Sequence, residues 1–438
     1  MPKALNRYLN KIRQFCQLTP QNRLQYLYRP LNSFVRNSPL TFTHTTTLIL
    51  GLMRKSTAIE LLDFFNKVNQ KSVTKSAFVQ RRQLIKPAFF KDFFHFTAQQ
   101  FYRTFPNHKT CKKLRVFAVD GSGQRLPNEP WIGEAFGFHL NQHDRVPSTR
   151  ILATFDILNK IIYRVDLHNQ KSSEITHAYP NVERLPKDAI YIYDRGFDGY
   201  GLPFLHRRHG SYYVLRVKKG LSPDIVDFVN SPDNERIIQV LLRDRAYRSL
   251  RDLGLNPEWK VTFPVRLVKV TLKSGEVEVL MTNLMDRKRF HYKKIVELYG
   301  WRWGVETAFH NLKSFLQLAL TSAYTQPGVE QDLWATFWNY NINSVFEFAT
   351  QKQLQKNTQK RQYDYQMNRK MAAGLIKRWI PFLFSSPERK WRAKTKVLKE
   401  EICRHIEPYR LRPSRVRTRR LIRAQERHVY EPNYRNTL

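Results

Sequence analysis

The sequence of 438 residues carries 75 Lys and Arg against 36 Asp and Glu, which gives a formal net charge of +39. With 42% hydrophobic and 13% aromatic residues it has enough apolar surface for folded cores, which excludes a disordered basic tail. So large a positive surplus repels itself unless a polyanion balances it, so a nucleic acid is the predicted partner and binding should weaken steeply with salt. No run of about 18 apolar residues and no signal peptide is visible, so we expect a cytoplasmic protein without a membrane anchor.

Residues 1–110 have a helical pattern and are predicted to form a DNA-binding domain. Within them, residues 72–84 predict a capped helix that carries the adjacent Arg81 and Arg82. This helix is either the second helix of a helix-turn-helix that offers both arginines to DNA, or an amphipathic helix with a solvated basic face.

Residues 111–218 predict a mixed α/β sheet, because short apolar runs alternate with turns and one polar connection. The first apolar run ends in Asp120 and the fourth ends in Asp194, while Asn159-Lys160 joins the two runs between them as a tight hairpin. Ligand-binding groups collect at the ends of strands in such sheets, so the two aspartates are expected to lie close together.

The rest of the chain divides into three further predicted regions. Residues 219–285 form a mostly β insertion, in which Trp259 is the only tryptophan. Residues 286–350 are helical and complete the core, and residues 351–438 form a basic C-terminal region that is Arg-rich from Tyr409 to Arg427.

One helical segment places five chemically active side chains within a sector of roughly 80°. These side chains are a phenol, a guanidinium, a carboxylate, an imidazole and an ammonium: Tyr299, Arg302, Glu306, His310 and Lys313. A solvated polar face with an ion pair between Arg302 and Glu306 explains the pattern equally simply. The surrounding aromatic residues instead favour a closely packed, functional face.

The spacing Tyr-x2-Arg-x3-Glu-x6-Lys, formed by Tyr299, Arg302, Glu306 and Lys313, resembles the YREK signature of bacterial insertion-sequence transposases of the DDE class, in insertion-sequence family four and its relatives. Two further blocks are similar to that family: Val119-Asp120-Gly-Ser and Tyr193-Asp194-Arg-Gly-Phe. The resemblance covers roughly residues 70–350. It implies an RNase H-like catalytic core interrupted by the β insertion, with flanking helical domains.

The resemblance implies that Asp120, Asp194 and Glu306 are catalytic acids that hold two Mg²⁺ ions, for which Mn²⁺ substitutes. Carboxylate oxygens are the ligands that Mg²⁺ prefers, and paired divalent cations activate water and stabilise the leaving oxygen in phosphodiester chemistry. Tyr299, Arg302 and Lys313 are then expected at the transposon end. Three other acids are interpreted as non-catalytic, because Asp144 lies in a predicted loop, Asp156 interrupts a predicted strand and Asp198 follows the second motif. His310 lies outside the signature.

The resemblance implies a cut-and-paste DNA transposase that acts on terminal inverted repeats and target DNA, and we expect it to act as a homodimer in the bacterial nucleoid. Two alternatives remain: a metal-dependent nuclease or resolvase on the same core, and a non-catalytic DNA-binding descendant. For Trp259 the resemblance suggests stacking on a flipped base, whereas a place in the sheet core is the more common situation for such a residue.

Overall fold

The structure is a computed structural model, and it describes residues 2–52, 55–140, 145–242, 244–255, 257–258, 260–272 and 274–409. The first hundred residues are helical, as the sequence predicts. The helices are α1 (Pro2–Cys16), α2 (Pro20–Arg23), α3 (Phe42–Gly51), α4 (Thr57–Lys67), α5 (Lys75–Arg82) and α6 (Ala88–Thr104). In α6 the phenylalanines at 89, 90, 93, 94 and 101 are all buried, and this spacing of three to four residues gives the helix one apolar face.

The middle of the chain alternates strands with short helices. Its strands are β1 (Arg115–Arg125), β2 (Phe138–Leu140), β3 (Arg145–Asp156), β4 (Ile161–Asn169), β5 (Ala189–Tyr193), β6 (Tyr212–Val217), β7 (Glu235–Leu241), β8 (Thr262–Thr271) and β9 (Val277–Thr282). Its helices are α7 (Pro130–Phe136), α8 (Glu174–Asn181), α9 (Gly201–His209), α10 (Pro223–Asn230) and α11 (Asp244–Asp252).

These nine strands form one mixed sheet among the described residues, in the order β2-β3-β1-β5-β6-β9-β8-β7, with β4 paired to β3. β1, β5 and β6 are parallel to one another, and β4 pairs with β3 as an antiparallel hairpin. The strands of the predicted insertion continue this sheet, because β9 pairs antiparallel with β6. The predicted mixed α/β sheet is therefore confirmed.

Strand β5 shows how the sheet is held between two cores. Ala189, Tyr191 and Tyr193 belong to one apolar cluster, and Ile190 and Ile192 belong to the cluster on the opposite face. Side chains alternate between the faces of a strand, so a continuous apolar run is what a strand covered on both sides requires. This burial fixes the position of the residue that follows β5.

The last part of the described chain is helical, with one small two-stranded antiparallel sheet formed by its two short strands. Its elements are α12 (Tyr292–Gly300), α13 (Trp303–Ser314), α14 (Gln326–Thr358), β10 (Tyr365–Met367), α15 (Arg369–Ser385), α16 (Glu388–Arg404) and β11 (Ile406–Pro408). α14 has 33 residues and is buried on nearly every side between Gly328 and Thr350. The predicted buried helix from Leu333 to Phe348 is thus confirmed and is longer than expected.

The described residues divide into two compact units. One unit contains those within residues 1–106, 124–148 and 311–438, and the other contains those within 107–123 and 149–310. We call them the helical unit and the sheet unit. No helix among the described residues is both long and apolar enough to cross a bilayer.

Candidate active site

Asp120 and Asp194 lie side by side at the point where two parallel strands separate. Val119 of β1 is in register with Tyr193 of β5, and this is the last pair between the strands. The residue after each is the aspartate, so the pairing places both carboxyl groups at the same edge of the sheet. The sequence predicted Asp120 just beyond its strand, whereas β1 continues to Arg125 after the pairing with β5 has ended.

Glu306 reaches the site from the first turn of α13. The five-residue face predicted on one continuous helix is interrupted, because α12 ends at Gly300 and α13 begins at Trp303. Across the break the amide of Arg302 donates to the carbonyl of Tyr299 at 3.0 Å, and that of Val305 donates to the carbonyl of Arg302 at 3.1 Å. Such i to i−3 hydrogen bonds tighten the turn and bring Tyr299 and Arg302 almost into line.

Arg302 lies between two of the acids. Its side chain is 6% exposed, and Nη1 donates to Glu306 Oε1 at 2.9 Å and lies 3.9 Å from Asp194 Oδ2. The guanidinium carbon also lies 4.7 Å from the centroid of the Trp303 ring, within the range of a cation–π contact. The ion pair between Arg302 and Glu306 is therefore present, with the Arg302 side chain buried and the Glu306 side chain 42% exposed.

The two oxygens of Asp194 have different surroundings. The Tyr299 hydroxyl donates to Oδ1 at 3.1 Å, and Arg216 Nε on β6 forms an ion pair with the same oxygen at 3.1 Å. Arg216 is held in turn by Glu278 on β9. Burial alone would raise the pKa of Asp194, but the Arg195 amide, the Arg302 and Arg216 guanidiniums and the Tyr299 hydroxyl hold it below its ordinary value.

Asp120 has the opposite electrostatic environment. Burial raises its pKa to about 6, and the nearby Glu174 and Glu306 carboxylates act in the same direction, against the Gly121 amide and the Arg302 guanidinium. Glu174 is paired with Arg150 at 2.9 Å. A Cβ at Gly121 would lie 2.3 Å from the Glu174 carboxyl, so only glycine allows this acid to approach the site.

Sequence reasoning missed the residues that support Asp120 and Asp194. Arg216 gave one signal, since it is a charged side chain inside an otherwise apolar strand. Glu174, Arg150 and Glu278 gave none, because nothing local distinguishes them from other charged residues on the surface.

The three acids suit a hard divalent cation in their chemistry. They supply carboxylate oxygens, and the cation that already lies between Asp194 and Glu306 is the Arg302 guanidinium. Among the described residues, no three His, Cys, Asp or Glu side chains lie together closely enough to hold a metal ion as they stand. Asp120, Asp194 and Glu306 would be the residues that hold a divalent ion, whose charge would offset the repulsion between their carboxylates.

The structure contradicts the predicted DNA-binding role of Arg82. Its side chain is 3% exposed, and the guanidinium donates to Gln331, Ser322, the Gly328 carbonyl and Asp332 at 2.6–3.1 Å. All of these groups belong to the helical unit, so Arg82 is a buried side chain that is bound within that unit.

Arg81 is placed differently from Arg82. It is partly exposed, with its guanidinium carbon 5.2 Å from the centroid of the Phe34 ring, and it stays available to a partner. The prediction of a capped helix is confirmed, since the Thr74 hydroxyl accepts from the Ala77 amide at 3.2 Å.

The other candidate residues have varied positions. Lys313 is exposed two turns beyond Glu306 on α13, and His310 is exposed on the same helix. Asp156 is fully buried and accepts from the Leu158 and Asn159 amides, as a turn acid does, whereas Asp198 pairs with Lys218 at 3.8 Å. Trp259 and Asp144 lie outside the described residues.

The family described as "Transposase DDE domain" matches residues 112–342, which is more than half of the chain. The chain belongs to the DDE transposase family. The match spans all three acids, which are the residues that the sequence analysis singled out.

The individual relatives of this transposase share a low sequence identity with it. It is 25% identical over 316 residues to "Transposase InsG for insertion sequence element IS4" of Escherichia coli strain K12, which covers 70% of this chain and 69% of that protein. Among solved structures it is similar to a piggyBac transposase synaptic complex with hairpin DNA, with a TM-score of 0.42 and 12% identity over 88% of this chain and 81% of the other. Membership of the DDE transposase family makes the chain a DNA transposase and an enzyme, and this family is generally dependent on divalent metal.

Proposed function

We propose that this transposase cuts the ends of its element and joins the freed 3′-hydroxyl to target DNA, in a cut-and-paste reaction on an RNase H-like core. The observation that supports this most is the convergence of Asp120, Asp194 and Glu306 around Arg302 within the matched domain.

Asp120, Asp194 and Glu306 would hold Mg²⁺, with Mn²⁺ as a substitute. When bound, these ions supply an activated water and stabilise the departing oxygen at the scissile phosphate. The remaining oxygen of Asp194, Oδ2, is the one that points toward Arg302 and Glu306, because Oδ1 is already engaged by Tyr299 and Arg216. The chain's own contribution is therefore to orient the carboxylates before metal and DNA arrive.

The basic residues of the site would bind the DNA strand. When a cation pairs with the carboxylates, the Arg302 guanidinium would donate two parallel hydrogen bonds to two oxygens of one phosphate. Lys313, two turns further along α13, supplies a point charge to a neighbouring phosphate. Burial and the nearby Asp194 raise the pKa of Tyr299, so its phenol stays protonated and holds Asp194 in place beside the terminal nucleotide.

The chemistry consists of two in-line displacements at phosphorus. In the first, a water oxygen bonds to phosphorus while the bond from phosphorus to the 3′-oxygen breaks, and that oxygen takes a proton to become the free 3′-hydroxyl. In the second, this hydroxyl loses its proton and bonds to phosphorus in the opposite strand or the target, whose own 3′-oxygen leaves. Neither step needs a covalent link between protein and DNA.

Two ends must be brought together, so we propose a homodimer on DNA. The N-terminal helices with Arg81 would contact the terminal inverted repeats, and the basic residues 351–438 would help to pair the ends. The net charge of +39 favours association with DNA in the nucleoid.

The proposal is tested with uncut element ends, which report cutting, and with precut ends mixed with a supercoiled plasmid in Mg²⁺, which report joining. One precut substrate carries a 3′-hydroxyl at the transposon end and the matched precut substrate carries a 3′-deoxy end. We expect covalent joining to the plasmid with the hydroxyl end and none with the deoxy end. Cutting without joining would establish a nuclease instead, and tight binding with neither reaction would establish a non-catalytic descendant.

A further inference from the structure

The helical unit contains a cavity of about 400 Å³ that the catalytic residues do not use. It is bounded by the start of α4, by α5 and by residues 321–325, which lead into α14. Its lining comprises Thr57, Lys75, Val79, Arg82, Gln83, Thr321, Ser322, Ala323, Tyr324 and Thr325. We call it the α5 pocket. Its volume lies within the range of sites that bind small organic groups.

The floor of the α5 pocket is rigid. Arg82 is tied to Asp332 at 3.1 Å and to Ser322 at 2.6 Å. Asp332 also accepts from the Ser322 hydroxyl at 2.7 Å, and the Thr325 hydroxyl caps α14 by accepting from the Gly328 amide at 3.4 Å. Residues 321–325 are therefore held in one conformation, so the cavity is formed before any ligand arrives.

The rim of the α5 pocket carries an exposed aromatic ring. Tyr324 and Trp131 are each 52% exposed. The indole nitrogen of Trp131 donates a hydrogen bond to the backbone carbonyl of Tyr324 at 2.7 Å. This bond holds an indole beside the segment that carries the phenol. Exposed aromatic residues next to cations are typical of surfaces on which nucleic acid bases stack.

The charge of the lining favours an anion. Two of its ten residues, Lys75 and Arg82, are cationic, and none is acidic. The carboxylate of Asp332 neutralises the charge of the Arg82 guanidinium. The net positive charge at the opening of the α5 pocket therefore comes from the exposed Lys75. Gln83 and the Thr and Ser hydroxyls offer hydrogen bonds that suit a base or sugar edge.

We propose that the α5 pocket binds one nucleotide of a DNA strand, with its phosphate at Lys75 and its base against Tyr324. This inference rests on the proposed function for the presence of DNA, but the site lies apart from the three acids in sequence and in structural unit. The proposal assigns to α5 a role in nucleotide binding through Lys75, although the Arg82 side chain on the same helix is buried.

The test is direct binding of a labelled single-stranded oligothymidine by the full chain in EDTA, measured by fluorescence anisotropy. Tyr324→Ala is expected to weaken binding at least about fivefold and Tyr324→Phe to restore it, because stacking needs the ring and not the hydroxyl. Lys75→Gln should weaken binding and lower its salt dependence. The matched controls are Lys187→Gln and Lys288→Gln, each of which removes an exposed lysine of the sheet unit that does not line the pocket.

Equal binding by wild type and Tyr324→Ala, or an equal loss in the control variants, would overturn the inference. Competition by thymidine monophosphate or inorganic phosphate as effective as that by the oligonucleotide would also overturn it, in favour of a free-anion site. Metal-dependent end cleavage is measured on the same proteins. A wild type that binds through Tyr324 but never cuts would refute the proposed function alone, and cutting with no effect of Tyr324 on binding would refute the pocket alone.

Discussion

At the scale of single residues, the site depends on two neighbouring acids whose pKa values move in opposite directions. Asp194 is surrounded by donors and cations, and its pKa lies below the ordinary value, while burial and two other carboxylates raise the pKa of Asp120 to about 6. Ionised Asp120 therefore destabilises the folded protein, as is common for carboxylates at functional sites, and this supports its proposed role as a ligand for a cation.

Asp120→Asn should stabilise the protein near neutral pH while it abolishes catalysis. Because the folded pKa lies above the ordinary 3.8, the folded wild type binds the extra proton between about pH 4 and 6 and loses stability as pH rises through that window. The variant has no carboxyl group at this position, so above pH 6 it avoids this loss of roughly 2–3 kcal/mol in the free energy of unfolding. Urea unfolding of both proteins in EDTA from pH 4 to 8 measures it, and a difference that does not change with pH would contradict the account.

Arg216 is predicted to position Asp194 for metal without touching the metal itself. Arg216→Gln should weaken Mn²⁺ binding to the DNA-free protein about tenfold, as measured by electron paramagnetic resonance, because supporting residues around ligands typically contribute that much. Arg216→Lys should recover part of the affinity. The control is Arg236→Gln on β7, an arginine paired with Asp227 and Asp233 in the same unit. Unchanged Mn²⁺ affinity in Arg216→Gln would show that the contact is only structural.

At the scale of elements, α5 shows where sequence patterns stop being informative. The cap at Thr74 and the helix that follows could be predicted, because both are local. The sequence could not show which of the two adjacent arginines faces inward, because the partner of Arg82 is Asp332, which lies 250 residues away in the chain. A charged residue next to another charged residue carries no local sign of such a distant pair.

The two arginines of α5 should therefore separate stability from DNA binding. Arg82→Gln leaves Asp332 buried without its cation and should lower the free energy of unfolding by roughly 3–5 kcal/mol. Arg81→Gln should unfold like wild type but lower the salt slope of DNA binding by about 1. Denaturant unfolding and salt-dependent binding of both variants measure this, and the reverse assignment of effects would refute it.

The break between α12 and α13 is a second structural feature that the sequence pattern did not predict. The spacing of Tyr299, Arg302 and Glu306 could be read from the sequence, but a continuous helix was the wrong geometry for it. The i to i−3 hydrogen bonds around Arg302 depend on packing in the sheet unit, where Tyr299 and Trp301 border the core. The functional groups still converge, because the tightened turn keeps them on one side.

At the scale of the whole molecule, the succession of apolar runs and turns was enough to predict the mixed sheet, and the acids that follow two of these runs predicted a candidate site at the strand ends. Parallel pairing of β1 with β5 explains why two aspartates more than 70 residues apart meet. The strand β7, the role of Arg216 and the α5 pocket could not be predicted, since each depends on contacts between segments that are distant in sequence.

The central claim is that Asp120, Asp194 and Glu306 together form the catalytic metal site. The most direct measurement is end cleavage in Mg²⁺ by wild type, Asp120→Asn, Asp194→Asn and Glu306→Gln, with DNA binding of each protein measured alongside. Asp198→Asn is the control, because Asp198 follows the second motif but pairs with Lys218. We predict that each of the three variants binds the end DNA but fails to cut it, while the control cuts normally. Cleavage at the wild-type rate by any one of the three would contradict the account.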